Sequence, residues 1–338
     1  MRLGLVGAGS IAGVHAYAAR QVPGLAVTAV ASRTEARARA AAERAGAEVR
    51  TLEDIHEVVD GVVIATPPAH HAAAARRAAA GGVGALVEKP LCTTLADADA
   101  LVAAAQDGAV LAYAENLLHA PAVRLAVTHA SALVGIDHLE VRAVQDRPTW
   151  GEFLSESWGG GVLFDLGAHP LALALALAGS ARPVEVRATL TGSDAHPVDE
   201  HAEVTIAFDT GLQARVVASW SHPSGPVWDA QVSSPDGVVR LELLPHVALE
   251  RNGAPVALPP IPADVPPALE ELGYLPQIES FALDVRDARS PAIGMAQARD
   301  VLDLTMAAYW SAGRGGAWVE LPFAGPRDAT PLQLWRGA

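Results

Sequence analysis

Short runs with almost no polar residue alternate with helical stretches through the first third of the chain. Leu3–Val6, Leu25–Ala31, Gly61–Ala65, Ala85–Val87 and Val110–Ala114 read as strands apolar on both faces. Between them, a stretch from Ser10 towards Pro23-Gly24 and the stretches Thr34–Ala45, Ala69–Ala80 and Leu95–Gln106 read as helices. Strands without alternation, separated by helices, predict a parallel doubly wound α/β sheet covered on both faces. Past Asn116 the pattern changes. His119–Ala130 reads as a helix, and His138–Gln145 alternates in strand fashion. Val184–Leu190, Ala202–Phe208, Leu212–Trp220, Trp228–Ser233 and Val238–Leu243 follow, divided by Gly and Pro turns. They predict a large, open, mostly antiparallel sheet. Ala254–Ala268 is a proline-rich surface loop, Tyr274–Arg286 and Met295–Ala312 are amphipathic helices, and Ala317–Leu321 is a closing strand. The expected division is residues 1–117 for the first domain and 118–338 for the second.

The first strand runs straight into Gly7-Ala8-Gly9-Ser10-Ile11-Ala12. In that order, Gly7 allows a tight turn, and Gly9 keeps side-chain atoms away from an approaching pyrophosphate. Ala12 lets the helix lie close to the strand, and the N–H groups around Ser10 and Ile11 face the phosphates. A strand before it and a helix after it make this fingerprint informative. The second strand ends at Ser32-Arg33-Thr34, with Arg37 following. An acid at that tip would bind the ribose 2′-hydroxyl of NAD; a serine and arginines better suit a 2′-phosphate. NADP is therefore favoured over NAD, although Glu35 lies close by.

Ligands of a doubly wound sheet bind beyond the carboxyl ends of its strands. Ser32, Thr66-Pro67, Lys89 and Asn116 all fall just after strands, with His71 bordering the same edge. Glu88-Lys89-Pro90 sets a lysine at a strand tip with proline fixing the turn after it. Its ammonium could bond a substrate hydroxyl; paired with Glu88, it could equally be a surface lysine. In the second half, a helix read from Val162 onward carries Asp165 and His169 at i and i+4 on one face. An imidazole with a carboxylate one turn away can accept a proton near neutral pH.

Composition narrows the alternatives. A 338-residue chain with 51% hydrophobic and 18% charged residues has room for two packed cores. Its formal net charge of −14 disfavours a grip on nucleic acid or anionic membrane. With the first strand beginning at Arg2, no signal peptide is expected, and Leu171–Ala178 is too short to span a bilayer. A cytoplasmic protein is expected. Cys92 is the single cysteine, so there is no internal disulfide. His196, His201 and His222 match no metal-ligand spacing and are expected to be ordinary histidines, with no metal.

Taken in order, these motifs resemble the Gfo/Idh/MocA family of glucose–fructose oxidoreductases and inositol dehydrogenases. The resemblance rests on Gly7–Ala12, Thr66-Pro67-Pro68-Ala69-His70-His71, Glu88-Lys89-Pro90, Ala114-Glu115-Asn116 and Gly160–His169, and it covers nearly the whole chain. It implies an N-terminal Rossmann domain and a C-terminal α/β domain whose open sheet makes dimer or tetramer contacts. It places Gly7, Gly9, Ser10, Ile11, Thr66, Pro67, His71, Glu88, Lys89 and Asn116 at the dinucleotide. By position, Lys89, Asp165 and His169 match the usual catalytic set: His169 accepts the proton of a secondary alcohol, Lys89 polarises its oxygen, and Asp165 orients both. Many members carry an acid three residues after the histidine, where this chain has Ala172.

The expected activity is interconversion of a secondary alcohol and a carbonyl on a sugar, cyclitol or related polyhydroxylated molecule. His119, Arg147, Trp150 and Trp158 are candidates for shaping the substrate pocket, since aromatic faces and a bidentate cation suit sugar rings and acidic substituents. Two alternatives differ in kind. One is a glycosidase that retains its nucleotide and uses transient oxidation; the other is a non-catalytic redox sensor that binds the dinucleotide.

Overall fold

The computed structural model describes residues 1–149, 151–221 and 225–337. Six strands form the first sheet: β1 (Arg2–Val6), β2 (Ala26–Ala31), β3 (Glu48–Arg50), β4 (Gly61–Ile64), β5 (Gly84–Glu88) and β6 (Leu111–Ala114). All pair in parallel, in the order β3-β2-β1-β4-β5-β6. Every residue of β4, β5 and β6 is buried, as apolar runs without alternation require. The order reverses between β1 and β4, and the chain leaving β1 passes over that reversal into α1 (Ser10–Ala19). α2 (Glu35–Ala45) ends on Gly46, whose φ of 68° releases the chain towards β3 while the Ala47 N–H bonds back to Ala42 O. α3 (His71–Ala80) and α4 (Leu95–Gln106) complete the alternation. β3 is short and half polar, which hid it from the hydrophobic pattern.

The second sheet has nine strands. After α5 (Pro121–Ser131) come β7 (His138–Val144), then α6 (Val162–Asp165) and α7 (Ala168–Leu177). β8 (Pro183–Gly192), β9 (Asp199–Phe208), β10 (Gln213–Ser219), β11 (Val227–Ser234), β12 (Gly237–Leu244), β13 (Ala248–Arg251) and β14 (Ala254–Pro255) follow. α8 (Pro267–Glu271), α9 (Tyr274–Arg286), α10 (Met295–Ala312), β15 (Val319–Glu320) and α11 (Pro331–Arg336) close the chain. The strand order is β14-β13-β12-β11-β7-β10-β9-β8-β15, with only β7 and β10 pairing in parallel.

One face of this sheet, with Leu139, Val141, Val204, Ile206, Val216 and Val232, is buried, and α5, α6 and α7 pack on the sheet. Residues on the other face run in register as Arg187, Thr205, Arg215, Glu140, Gln231, Arg240 and Glu250. Several of its charges are paired in place: Arg215 reaches Glu140 and Glu203, and Arg142 reaches Asp229. Glu156–Leu177 is apolar enough by length and composition to cross a bilayer, yet 89% of its most apolar window is buried inside the fold. It is core.

Contacts divide the chain into two interleaved units. One comprises residues 1–92, 96–119 and 261–299; the other comprises 93–95, 120–260 and 300–338. The boundary expected after residue 117 lies two residues from one crossing point. In the first unit, Leu269, Leu275, Ile278 and Phe281 of the returning segment join the core formed by Leu3, Leu5, Val30 and Leu86. The backbone of Ile293 and Gly294 covers the free edge of β6, with the Tyr113 N–H donating to Ile293 O at 2.8 Å.

The helix expected to run unbroken from Val162 is two helices joined at Leu166-Gly167. The Gly167 N–H bonds to Val162 O, and a Cβ on Gly167 would lie 2.3 Å from Leu163 O. The start of α6 is held by Asp199, a fully buried carboxylate with no ion-pair partner among the described residues. Asp199 accepts the N–H of Gly161 at 3.0 Å, the N–H of Leu163 at 2.9 Å and the hydroxyl of Tyr309 at 2.5 Å. Burial raises its pKa even though these donors oppose the shift. Asp199→Asn puts an amide N–H where a donor already points. It is expected to remove about 1–3 kcal/mol of stability and to lower Tm by several degrees. A thermal unfolding profile identical to the parent would contradict this account of the α6 start.

Candidate active site

In the first unit the glycine loop has little freedom. Gly7 has a φ of 119°, donates its N–H to Ala31 O at 2.8 Å, and a Cβ there would lie 2.3 Å from Ala65 O. Only glycine joins β1 to α1 across the strand reversal. Gly9 differs: a Cβ on it would meet nothing within 4 Å. It sits at the start of α1, whose first turn has no side-chain cap, and Ser10 is exposed with Ile11 half-buried. Uncapped N–H groups beside open space form an anion site. At the tip of β4, the Thr66 hydroxyl is buried without a hydrogen-bond partner among the described residues. These features fit a dinucleotide.

At the tip of β2, Ser32 is half-buried and accepts the Thr34 N–H at 3.3 Å. Arg33 and Arg37 are exposed and make no ion pair among the described residues. Glu35, the acid nearest this corner, pairs with Arg39 one turn along α2.

His71 and Asn116 are both buried, and each holds main-chain carbonyls. The His71 Nε2 lies 2.6 Å from Thr66 O, and its Nδ1 lies 3.0 Å from Pro90 O and 3.2 Å from Leu91 O. Burial pushes its pKa down, against those carbonyls and the Glu88 charge. The ring thus lies between the Thr66-Pro67 tip and the chain just past Lys89, and as a neutral imidazole it donates to one side only. Asn116 donates from Nδ2 to Leu272 O at 2.7 Å.

Glu88 ends β5 with 5% exposure. Its Oε1 lies 2.7 Å from the His15 Nε2, and its Oε2 accepts the Lys89 N–H at 2.9 Å. Burial works to raise its pKa, but the His15 hydrogen bond and the charges of His15, Lys89 and His71 outweigh it. The carboxyl therefore titrates below its usual range. Lys89 itself is half-buried and precedes a cis proline.

In the second unit, Asp165 closes α6 and His169 lies in the first turn of α7, at 8% and 6% exposure. The His169 ring packs against Trp228 at the start of β11, with centroids 5.4 Å apart and planes tilted by 37°. The Trp228 indole N–H is buried and unpartnered among the described residues. Of the expected pocket residues, Arg147 is exposed and paired with Glu200 at 3.6 Å, and Trp158 packs edge-on against Phe153. His119 is half-buried at the end of a 3-10 turn in the first unit. Trp150 and His222 lie outside the described residues.

Sequence reasoning missed His15, Trp228, Asp199 and Tyr309. The signal for His15 was a lone histidine on the buried face of α1, among Ala12, Ala18 and Ala19. Asp199 and Tyr309 lie far apart in sequence and carry no spacing signal.

Residues 1–115 match the oxidoreductase family described by an NAD-binding Rossmann fold, and residues 129–240 match the Gfo/Idh/MocA C-terminal domain. D-xylose 1-dehydrogenase (NADP(+)) 2 of Haloferax volcanii is 27% identical over 342 residues, covering 95% of this chain and 100% of that protein. The crystal structure of GenD2 from gentamicin A biosynthesis in complex with NAD has a TM-score of 0.84 at 29% identity, covering 95% of this chain and 96% of that one. Levoglucosan dehydrogenase in complex with NADH shares the fold, with a TM-score of 0.84 at 24% identity over 96% of this chain and 99% of that one. With both halves matched and the glycine loop built for a dinucleotide, the chain belongs to the Gfo/Idh/MocA oxidoreductase family.

Proposed function

We propose that this oxidoreductase interconverts a secondary alcohol and its carbonyl form on a sugar, cyclitol or related polyhydroxylated small molecule, with NADP preferred to NAD. The observation that carries the reading is the strand edge of the first unit. There, an uncapped helix start beside open space lies in the same unit as a lysine whose backbone is held by a buried carboxylate. A relative named as a D-xylose dehydrogenase using NADP(+), matched along its whole length, supports both substrate class and cofactor.

When bound, the nicotinamide supplies a hydride acceptor for the carbinol carbon. The protein's share is alignment and proton handling. His169 takes the hydroxyl proton as the carbon–oxygen bond gains double-bond character, and returns it in the reductive direction. Asp165, four residues before it, orients the imidazole and offsets the positive charge it acquires. Trp228 packs on the ring and limits its rotation. Lys89 donates a hydrogen bond to a substrate oxygen and stabilises its developing negative charge. Gly7 and Gly9 let the backbone approach the pyrophosphate. Arg33 and Arg37 supply forked donors for a 2′-phosphate, and the Glu35 carboxylate is engaged by Arg39.

Removing the proton acceptor separates chemistry from binding. His169→Ala is expected to lower kcat by about 10²–10⁴-fold while the NADPH Kd, read by calorimetry, stays within about threefold. Turnover is followed at the nicotinamide absorbance with NADP and D-xylose, D-glucose, myo-inositol or UDP-glucose. Near-parental kcat in that variant with an oxidised substrate would overturn the role of His169.

The cofactor preference has its own test. Arg33→Ala combined with Arg37→Ala is expected to weaken NADPH binding by about 10–100-fold and to leave NADH within about threefold. Equal weakening of the two nucleotides would remove the argument for a 2′-phosphate site.

A further inference from the structure

His15 has no place in the roles set out so far. It lies in the second turn of α1, is 0% exposed, and its Nε2 is 2.7 Å from Glu88 Oε1. The rest of the buried face of this helix is alanine: Ala12, Ala18 and Ala19. The ring meets Tyr274 of α9 edge-on, with centroids 6.1 Å apart. Its Nδ1 is buried with no hydrogen-bond partner among the described residues.

As a source of stability the pair is a poor choice. A buried polar pair is often no better than two well-packed apolar side chains, and this one leaves a ring nitrogen unsatisfied. Its effect is instead geometric. With one oxygen held by His15, the Glu88 carboxylate can turn back on its own chain only so far, and its other oxygen receives the Lys89 N–H at 2.9 Å. Two hydrogen bonds thus run from the helix that follows the glycine loop, through one carboxylate, to the backbone of Lys89. Pro90 fixes the chain on the far side of that lysine, with the His71 Nδ1 3.0 Å from the Pro90 carbonyl oxygen.

We infer that His15 is a positioning residue for Lys89, acting through the Glu88 carboxylate, in addition to whatever it contributes to packing in α1. This inference rests on the proposed role of Lys89. It assigns His15 no contact with substrate or with the dinucleotide.

The test uses the full chain, with two substitutions at His15 and one at Lys89. His15→Leu keeps the volume apolar; His15→Gln keeps an N–H donor able to reach the Glu88 carboxylate. First, amide exchange at Lys89 is read residue by residue by NMR, which needs no substrate. His15→Leu is expected to speed exchange of the Lys89 N–H about tenfold, and His15→Gln to restore most of the protection. Second, kcat with the substrate most rapidly oxidised in the panel above is expected to fall about tenfold or more in His15→Leu. KM and the NADPH Kd should stay within about threefold, and His15→Gln should recover most of kcat.

Third, His15→Leu placed on a Lys89→Ala background should cost nothing further in kcat, because the group it positions is gone. A merely structural role predicts losses that multiply. Unchanged Lys89 exchange in His15→Leu overturns the inference, as does a glutamine variant no better than leucine, or multiplying losses. An inactive Lys89→Ala beside a fully active His15→Leu overturns the inference alone. A fully active Lys89→Ala overturns the reading of Lys89 and the inference with it.

Discussion

A buried carboxylate that binds main-chain N–H groups sets the geometry in both units. Glu88 holds the Lys89 N–H at the end of β5, and Asp199 holds those of Gly161 and Leu163 just ahead of Asp165 and His169. Among the described residues, neither pairs with a guanidinium. Their charge is met instead by short directional donors: an imidazole for Glu88, a phenol for Asp199 and backbone amides for both. Such bonds gain strength where water is excluded, and they leave few alternative positions for the backbone. The candidate side chains beside them then stand on firmly held main chain.

The same logic explains the traffic of carbonyls at the strand edge. The His71 ring sits between Thr66 O and the carbonyls of Pro90 and Leu91, and Asn116 donates to Leu272 O. These side chains brace the crevice wall. The open part of the wall is made of backbone and small groups: Gly9, the start of α1 and the Thr66 hydroxyl. A net charge of −14 does not oppose an NAD-binding fold, because local backbone dipoles, not the overall field, act at that distance.

Much of this was readable from residue order. Apolar runs without alternation announced buried parallel strands, and Gly7 to Ala12 announced the turn that only one strand can carry. The alternating runs from His138 to Leu243 announced the second sheet. Less was readable at the joints. The break at Leu166-Gly167 turns on the Gly167 contact with Leu163, and β3 is too short and polar to show a period. His15 looked like one more residue on an apolar helix face because its partner lies 73 positions away.

By itself, then, the amino-acid order indicated most of the elements, their order, the glycine loop and the candidate acid–base groups, since each depends on neighbours a few residues apart. The tertiary structure decided which polar groups are buried together: His15 with Glu88, Asp199 with Tyr309, and His169 with Trp228. It also decided that residues 261–299 join the core of the first unit. The physical reason is that a hydrogen bond between distant residues leaves no period or spacing in sequence. It exists only once the chain has excluded water around it.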